Sequence, residues 1–167
     1  MVTSQQNWAQ LISLATVVGE ALTQKKQTLA TAESCTGGGI GYVITEVAGS
    51  SAWFNGGLIT YTNALKQQWL QVPESVLNSV GAVSAECVAA MAQGARKAAA
   101  ADWSIAVSGI AGPGGGSASK PVGLVWLSIA GENYCETLSE VFTGDRQTVR
   151  EKTIVKALSV LLKNLEQ

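Results

Sequence analysis

Short apolar segments alternate with amphipathic helical segments along this chain, and this alternation restricts the fold more than any other feature. Glycine-rich polar turns separate the segments, one after Ala32, one after Val107 and one around residues 142–146. Strands that alternate with helices are typical of layered α/β folds. We therefore expect residues 1–167 to form a single α/β domain of three layers, with a mixed β-sheet flanked by helices.

Hydrophobic periodicity gives the approximate bounds of the predicted elements. It predicts helices in the segment that carries Lys66, after the capping residue Asp145, and over residues 6–25, 40–47, 73–80 and 84–101. It predicts strands over residues 28–32, 58–61, 103–107, 122–130 and 134–142. The last two strands should form an antiparallel hairpin, because only a short turn at 131–133 separates them.

The composition excludes several classes of function. Hydrophobic residues make up 47% of the chain and charged residues 14%, which is enough for a sizeable core. No apolar run is long enough to span a bilayer, and the N-terminal residues do not form the basic and apolar pattern of a secretory signal. The net charge is −1 and there is no basic block, so we expect no membrane or nucleic-acid partner.

Three widely spaced cysteines, Cys35, Cys87 and Cys135, predict reduced thiols in a cytoplasmic protein.

The chain contains no histidine, which narrows its chemistry. Histidine is the usual base for a serine nucleophile and the commonest metal ligand, so we expect neither a histidine-dependent triad nor a metal site. A serine nucleophile would have to give its proton to a lysine, a tyrosinate or a carboxylate. A lysine can accept the proton only when its amine is neutral, which requires burial or a neighbouring cation.

One compact run, residues 49–66, contains residues suited to such chemistry. Ser50 and Ser51 follow a glycine, and Tyr61 and Lys66 follow the next predicted strand. If the strand and helix fold back, Ser51 and Lys66 could meet. Helix capping would also explain the two serines, and a lysine on a helix is more often a solvated surface residue.

The polar turn at 33–39 is a second candidate. A strand that leads through a glycine-rich turn into a helix can present backbone N–H groups to an anion. Ser34 and Thr36 would then line a ligand site, or they would only cap the helix. Glu33 could orient a ligand, or it could complement the helix N-terminus.

Two further patterns carry less information. Residues 117–120 match the S-x-x-K pattern of penicillin-interacting enzymes, but they lie between a glycine run and Pro121, where a helix cannot readily begin, so we interpret Lys120 as a loop cation. Arg146 is either a surface residue paired with Asp145 or Glu140, or a clamp for an anion. Neither glycine run fits a dinucleotide-binding fingerprint.

Five motifs in order resemble those of the CinA C-terminal domain family. They are AESCTGG (32–38), GSSAWFNGGLITYTNALK (49–66), GAVS (81–84), SGIAGPGGGSASKPVG (108–123) and FTGDR (142–146). The resemblance extends over about residues 5–165. It implies hydrolysis of the carboxamide of nicotinamide mononucleotide to nicotinic acid mononucleotide and ammonia, by a serine–lysine mechanism that needs no metal or other cofactor.

The resemblance also implies roles for particular residues. Ser51 would be the nucleophile, Lys66 its base, and Tyr61 a participant in the proton transfers. The small nucleotide substrate would be bound by Ser34, Thr36, Gly37, Ser108, Gly109 and Arg146. Gly57 departs from the family, since some members carry a basic residue there, and this would remove a charge near the site.

Two expectations of a different kind accompany the resemblance. The protein should be a homo-oligomer. The family also contains paralogues without a demonstrated activity, so the alternative to an amidase is a catalytically silent nucleotide-binding or regulatory protein.

Overall fold

Five strands form one mixed sheet. They are β1 (Leu29–Glu33), β2 (Phe54–Ile59), β3 (Trp103–Gly109), β4 (Leu124–Gly131) and β5 (Tyr134–Val141). Their order across the sheet is β2-β1-β3-β4-β5. β1 is parallel to both of its neighbours, whereas β4 is antiparallel to β3 and to β5. The structure is a computed structural model that describes residues 4–167.

Helices cover both faces of the sheet, as the apolar patterns predict. They are α1 (Ser4–Lys25), α2 (Gly39–Thr45), α3 (Asn63–Leu70), α4 (Glu74–Ser79), α5 (Ala85–Ala98) and α6 (Arg146–Leu165). One core lies between the sheet and α1, α2 and α6, and includes Ile105 and Val107 of β3. The other lies between the sheet and α3, α4 and α5, and includes Ala106 of the same strand. This alternation along β3 confirms a three-layer α/β fold.

Most predicted elements are present with small shifts at their ends. The predicted β4–β5 hairpin is confirmed, and its turn consists of Glu132 and Asn133, the latter with a left-handed φ of 55°. The main difference is β2, which begins at Phe54 and not at Leu58. β2 is an edge strand with two adjacent glycines, Gly56 and Gly57, and these glycines hide its strand pattern in the sequence.

The parallel strands determine where a site can form. The carboxyl ends of β1, β2 and β3 lie at one edge of the sheet. Because β4 is antiparallel to both β3 and β5, β5 runs in the same direction as β3 and ends at the same edge. The turns after Ala32 and Val107 and around residues 142–146 therefore meet there. Ligands in open α/β sheets bind outside the carboxyl ends of the strands.

No helix within residues 4–167 is both long enough and apolar enough to cross a membrane. The sequence analysis predicts that the N-terminal segment carries no secretory signal. Residues 1–3 of that segment lie outside the described residues. The cytoplasmic location and the homo-oligomer remain predictions.

Candidate active site

A cavity of about 290 Å³ opens at the carboxyl edge of the sheet. This volume is close to the lower limit for small-molecule sites in proteins. The turn after β1, the start of α3, the loop before α5, the loop after β3 and the start of α6 all contribute to its wall. The lining residues are Ser34, Cys35, Tyr61, Asn63, Lys66, Ala82, Val83, Ser108, Gly109, Ile110, Ala111, Gly112, Gly114, Gly115 and Arg146.

Lys66 is buried inside this wall, with only 1% of its surface exposed. It lies in α3 one turn before Leu70, so the two side chains share the inward face of the helix. The hydroxyl of Thr62 caps α3 by accepting a hydrogen bond from Leu65 N–H (3.3 Å). Lys66 is therefore a buried residue and not the solvated surface lysine that the sequence analysis considered.

Three oxygen atoms surround the Lys66 amine. Nζ lies 2.8 Å from the Thr60 carbonyl oxygen, 3.1 Å from the Tyr61 carbonyl oxygen and 3.1 Å from Ser34 Oγ. None of the three is a carboxylate, so no negative charge at hydrogen-bond distance offsets the loss of hydration. Burial lowers the pKa of Lys66 below its ordinary value, and the Cys87 and Cys35 thiols oppose this shift more weakly.

The arrangement suits a neutral amine. Carbonyl oxygens can only accept hydrogen bonds, so the Thr60 and Tyr61 carbonyls take two N–H groups. A neutral amine has only two N–H groups, and its lone pair is then directed at the third neighbour, the hydroxyl of Ser34. In this state the lone pair faces the Ser34 hydroxyl, whereas a protonated amine would donate a hydrogen bond to Ser34 Oγ over the same 3.1 Å.

Ser34 occupies the position that the sequence analysis expected for Ser51. It is the first residue after β1, and its N–H donates to the Val107 carbonyl oxygen of β3 (3.1 Å). Its side chain is 8% exposed and lines the cavity. Its hydroxyl does not cap α2, because the cap residue of α2 is Gly38 and the hydroxyl contacts Lys66 Nζ instead.

The expected pair of Ser51 and Lys66 is not formed. Ser51 lies in a single 3₁₀ turn, Ser50–Ala52, before the amino end of β2, whereas Lys66 lies beyond its carboxyl end. A six-residue strand separates the two ends by about 20 Å, at ~3.3 Å per residue. Ser51 is also exposed and absent from the cavity wall.

Tyr61 and Arg146 form a bridge across the mouth of the cavity. Arg146 Nη2 donates to the Tyr61 hydroxyl (3.2 Å), and Nη1 donates to the Gly112 carbonyl oxygen (2.8 Å). The Tyr61 side chain is 58% exposed. Tyr61 thus touches Lys66 through its carbonyl oxygen and not through its hydroxyl, which faces the arginine.

Ser108 and Gly109 form the far wall at the end of β3. Ser108 is 2% exposed, and its hydroxyl has no hydrogen-bond partner within the described part of the chain. Gly109 lets β3 and β4 approach closely, because a Cβ there would lie 2.6 Å from Val125 Cγ2. The hydroxyl of Ser108 is therefore free to bind a ligand in the cavity.

Thr36 and Gly37 do not line the cavity, contrary to expectation. The hydroxyl of Thr36 donates to Glu33 Oε2 (2.6 Å), and its side chain is fully buried. The N–H groups at the start of α2 point at the Glu33 carboxylate, so this turn does not offer them to a ligand. Of the two interpretations of Glu33, the one that complements the helix N-terminus is confirmed.

Gly57 also lies away from the cavity, in the middle of the edge strand β2 opposite Thr31. A Cβ at this position would lie 2.5 Å from Thr31 Oγ1. The glycine therefore makes room for the threonine. Gly57 is not among the residues that line the cavity.

The thiol of Cys35 lies in the wall next to Ser34. Burial raises its pKa to about 11, and the charge of Glu33 acts in the same direction, while its own backbone N–H, Arg150 and Lys66 oppose the shift. A thiol that stays protonated is a poor nucleophile. Cys35 is therefore a wall residue and not a competitor of Ser34.

A larger depression of about 790 Å³ lies at the opposite edge of the sheet, between α5 and the β4–β5 hairpin. Its polar residues, such as Arg96, Lys97 and Glu132, lie on the open surface. It contains no buried amine or hydroxyl of the kind found at Lys66 and Ser108. The smaller cavity is therefore the better candidate for chemistry.

Sequence reasoning missed several wall residues. Ala82, Val83 and Asn63 carry no chemical signal, and only the fold brings them to the cavity. Arg150 does not line the cavity but was also missed; it donates to the Thr36 carbonyl oxygen (2.9 Å) from the turn of α6 after Arg146. Its spacing of four residues from Arg146 was the signal that could have placed both on one helix face. Within residues 4–167 there is no group of three or more acidic, cysteine or histidine side chains that could hold a metal ion.

Comparison with known proteins identifies the family. Residues 11–165 match the model of the CinA C-terminal domain. A "CinA-like protein" of Parasynechococcus marenigrum is 55% identical over 156 residues, which cover 92% of this chain and 37% of that protein. The "Nicotinamide-nucleotide amidohydrolase PncC" of Pseudomonas putida is 50% identical over 152 residues, which cover 91% of this chain and 95% of that protein.

A solved structure shows the same fold. The CinA superfamily protein KP700603 from Klebsiella pneumoniae superposes with a TM-score of 0.91 at 36% identity, covering 93% of this chain and 98% of that chain. The chain thus spans about a third of some curated relatives and nearly all of others. The family match over most of the chain, the amidohydrolase relative and the shared fold agree: the chain belongs to the CinA C-terminal domain family.

Proposed function

We propose that this protein hydrolyses the carboxamide of nicotinamide mononucleotide to nicotinic acid mononucleotide and ammonia. Ser34 is the nucleophile and Lys66 is the base in this proposal. The observation that carries it is the contact of 3.1 Å between Ser34 Oγ and a buried amine whose other neighbours are two carbonyl oxygens. The amidohydrolase name of the Pseudomonas relative supports the choice of substrate.

The first half of the reaction forms an ester. Neutral Lys66 takes the hydroxyl proton of Ser34 while Oγ attacks the carboxamide carbon, and the carbonyl oxygen becomes an oxyanion. The resulting ammonium group of Lys66 then gives its proton to the amide nitrogen. The C–N bond breaks, ammonia leaves and Ser34 carries the acyl group.

The second half releases the acid. Lys66, neutral again, takes a proton from a water molecule that attacks the ester carbon. The C–O bond to Ser34 breaks, and Lys66 returns the proton to Oγ. One amide and one water molecule have become one carboxylic acid and one ammonia, and the enzyme is unchanged. Lysine and serine perform every proton transfer, so the proposed mechanism is independent of metal.

The oxyanion needs donors in the cavity wall, and Ser108 is the best candidate. Ser108 is 2% exposed, and its hydroxyl, which forms no hydrogen bond within the described residues, lines the same cavity as Ser34. A preorganised donor of this kind stabilises the charge that develops on the carbonyl oxygen. The close approach of β3 to β4 at Gly109 fixes the end of the strand that carries the donor.

The phosphate of the substrate would lie at the mouth of the cavity. Arg146 supplies a guanidinium group there, which suits a phosphate. Gly114 and Gly115 line the same region, and their N–H groups have no acceptor among the described residues. Gly115 has a left-handed φ of 88°, a conformation found in backbone turns that bind anions.

The test is ammonia release from nicotinamide mononucleotide, with free nicotinamide and the dinucleotide measured in parallel. We expect release from the mononucleotide, little from nicotinamide, and no loss of rate in EDTA. Binding of the mononucleotide without ammonia release would identify the silent nucleotide-binding alternative. Loss of activity in EDTA with recovery on adding a divalent metal would contradict the metal-free mechanism.

A further inference from the structure

Glu33 is a buried carboxylate with an unusual number of donors around it. Only 1% of its surface is exposed. Oε2 accepts hydrogen bonds from the hydroxyl of Thr36 (2.6 Å) and from the N–H groups of Gly38 (3.1 Å) and Ile40 (3.0 Å). Oε1 accepts from Gly41 N–H (2.9 Å) and from the hydroxyl of Thr31 (3.3 Å).

These partners match an ionised carboxylate. A carboxylate can only accept hydrogen bonds, and the three backbone N–H groups can only donate them. Among the described residues no lysine or arginine forms an ion pair with Glu33, and the one ion pair described joins Lys156 to Glu140. The start of α2 therefore stabilises the charge with its free N–H groups.

The carboxylate fixes the backbone on one side of Ser34. It ties the end of β1 to the first turn of α2, so the chain between them cannot change its path without breaking several hydrogen bonds. Within this turn, Gly37 N–H donates to the Ser34 carbonyl oxygen (3.1 Å) and Gly39 N–H donates to the Thr36 carbonyl oxygen (3.1 Å). The turn after the nucleophile is thus held at both of its ends.

The sheet fixes the backbone on the other side. Ser34 N–H donates to the Val107 carbonyl oxygen of β3. With the strand end and the turn both held, the Ser34 side chain has little freedom except rotation about its own bonds. The contact of 3.1 Å with Lys66 then requires no further adjustment.

We propose that Glu33 is a positioning residue for Ser34, which acts by holding the β1–α2 turn so that Oγ stays within hydrogen-bond distance of the Lys66 amine. Glu33 does not line the cavity. The proposal rests on the proposed function only in taking Ser34 as the nucleophile. It predicts that loss of the carboxylate slows the chemical step and leaves substrate binding almost unchanged.

The variant Glu33→Gln tests this prediction with little change in shape. The amide oxygen of glutamine can replace Oε2, but its NH₂ group then faces the N–H group of Gly41, which also donates. We expect kcat to fall about tenfold to a hundredfold with KM within about twofold of wild type, because a nucleophile misplaced by about 1 Å can cost that much in rate.

A second variant covers the case in which Glu33→Gln does not fold. Thr36→Val removes one hydroxyl donor to Glu33 and keeps the shape of the side chain. We expect a smaller loss of kcat, about threefold to tenfold, again without a change in KM. A rise in KM for Thr36→Val would mean that Thr36 binds substrate directly, and it would overturn the proposal.

Glu136→Gln is the matched control. Glu136 is also a carboxylate that accepts side-chain hydrogen bonds, from Tyr134 (2.9 Å) and Asn164 (3.0 Å), but it lies in β5 near the opposite edge of the sheet. We expect wild-type kcat and KM. An equal loss of kcat in this control would show that any lost carboxylate lowers activity through stability, and it would overturn the proposal.

A crystal structure of Glu33→Gln gives a readout that does not depend on the substrate. The proposal expects the distance between Ser34 Oγ and Lys66 Nζ to exceed the limit for a hydrogen bond. An unchanged distance with wild-type kcat would overturn it. If the wild-type protein released no ammonia from the mononucleotide, the proposed function would fail. The distance between Ser34 Oγ and Lys66 Nζ in the variant would still decide whether Glu33 positions Ser34.

Discussion

The amine of Lys66 contacts the hydroxyl of Ser34 although 32 residues separate them in the chain. The contact depends on the parallel pairing of β1 and β2, which brings the ends of these neighbouring strands to one edge. Ser34 follows the first strand directly, and Lys66 returns to the same edge from the first turn of α3.

Replacing each serine separately should distinguish Ser34 from Ser51. We expect Ser34→Ala to lower kcat by about a thousandfold or more with substrate binding largely kept, as for a nucleophile that acts together with its base. Ser51→Ala should retain nearly wild-type activity, because Ser51 is exposed at the opposite edge of the sheet. Steady-state ammonia release measures both variants. The reverse pattern would show that the nucleophile lies outside the cavity described here.

Replacing Lys66 should remove both activity and its dependence on pH. Burial lowers the pKa of Lys66, so the wild-type enzyme should lose activity on acidification as the amine takes up a proton. Lys66→Arg keeps a positive charge but cannot accept a proton near neutral pH, so it should be as damaging as Lys66→Met. Rates of ammonia release from pH 5 to pH 9 test this. An active Lys66→Arg enzyme with an unchanged profile would mean that the base lies elsewhere.

The same lysine should make the stability of the protein depend on pH. Its pKa is lower in the folded state than its ordinary value of 10.5, so the unfolded state binds more protons between the two values. The free energy of unfolding therefore rises with pH in that window, and the burial penalty is fully present below the folded pKa. Denaturant unfolding of wild type and Lys66→Met should show a steeper rise in the wild type. Measurements well below pH 9.0, the ordinary pKa of a cysteine thiol, keep the titration of Cys35 in the unfolded state small.

Arg146 and Tyr61 should affect substrate binding more than chemistry. Arg146→Met should raise KM about tenfold to a hundredfold, since a hydrogen bond to a charged group contributes about 1.5–3 kcal/mol. Tyr61→Phe removes only the hydroxyl that holds the guanidinium group, so KM should rise by a smaller factor. A loss of kcat of about a hundredfold in Tyr61→Phe would instead support a role of the hydroxyl in proton transfer.

Gly57 should be sensitive to any added side chain. Gly57→Ala places a Cβ 2.5 Å from Thr31 Oγ1, and the threonine must move away from Glu33. We expect the free energy of unfolding to fall by about 1–3 kcal/mol, as is usual for an overpacked contact. Thr31→Ala removes the same clash, so the double variant should lose less stability than the sum of the two single variants. Simple additivity would show that the two residues do not interact.

The fold was largely predictable because its signals are local. Apolar spacing predicted α6 and the capping role of Asp145, whose Oδ1 accepts from Thr148 N–H (2.8 Å). Glycine-rich turns follow several of the predicted strands, and they indicated which edge of the sheet carries the cavity. The same rule correctly brought Ser34, Ser108 and Arg146 together.

The serine that contacts Lys66 was not predictable from the sequence, and one reason is the length of β2. Gly56 and Gly57 have no side chains to mark a strand, so the strand appeared to begin at Leu58. With a strand that short, the sequence left open whether Ser51 and Lys66 meet. The observed strand begins four residues earlier at Phe54, and this difference separates the two residues across the sheet. The inward orientation of the Lys66 side chain was also not predictable, because a lysine on a helix more often faces water.

The two carbonyl oxygens beside Lys66 are part of the main chain. No substitution at Thr60 or Tyr61 removes them, since their positions follow from the path of the backbone between β2 and α3. These two acceptors of the Lys66 amine are therefore inherited with the fold itself. Side chains at the cavity mouth can change without removing these two acceptors. Divergence on this scaffold should change which carboxamide is accepted before it changes the reaction.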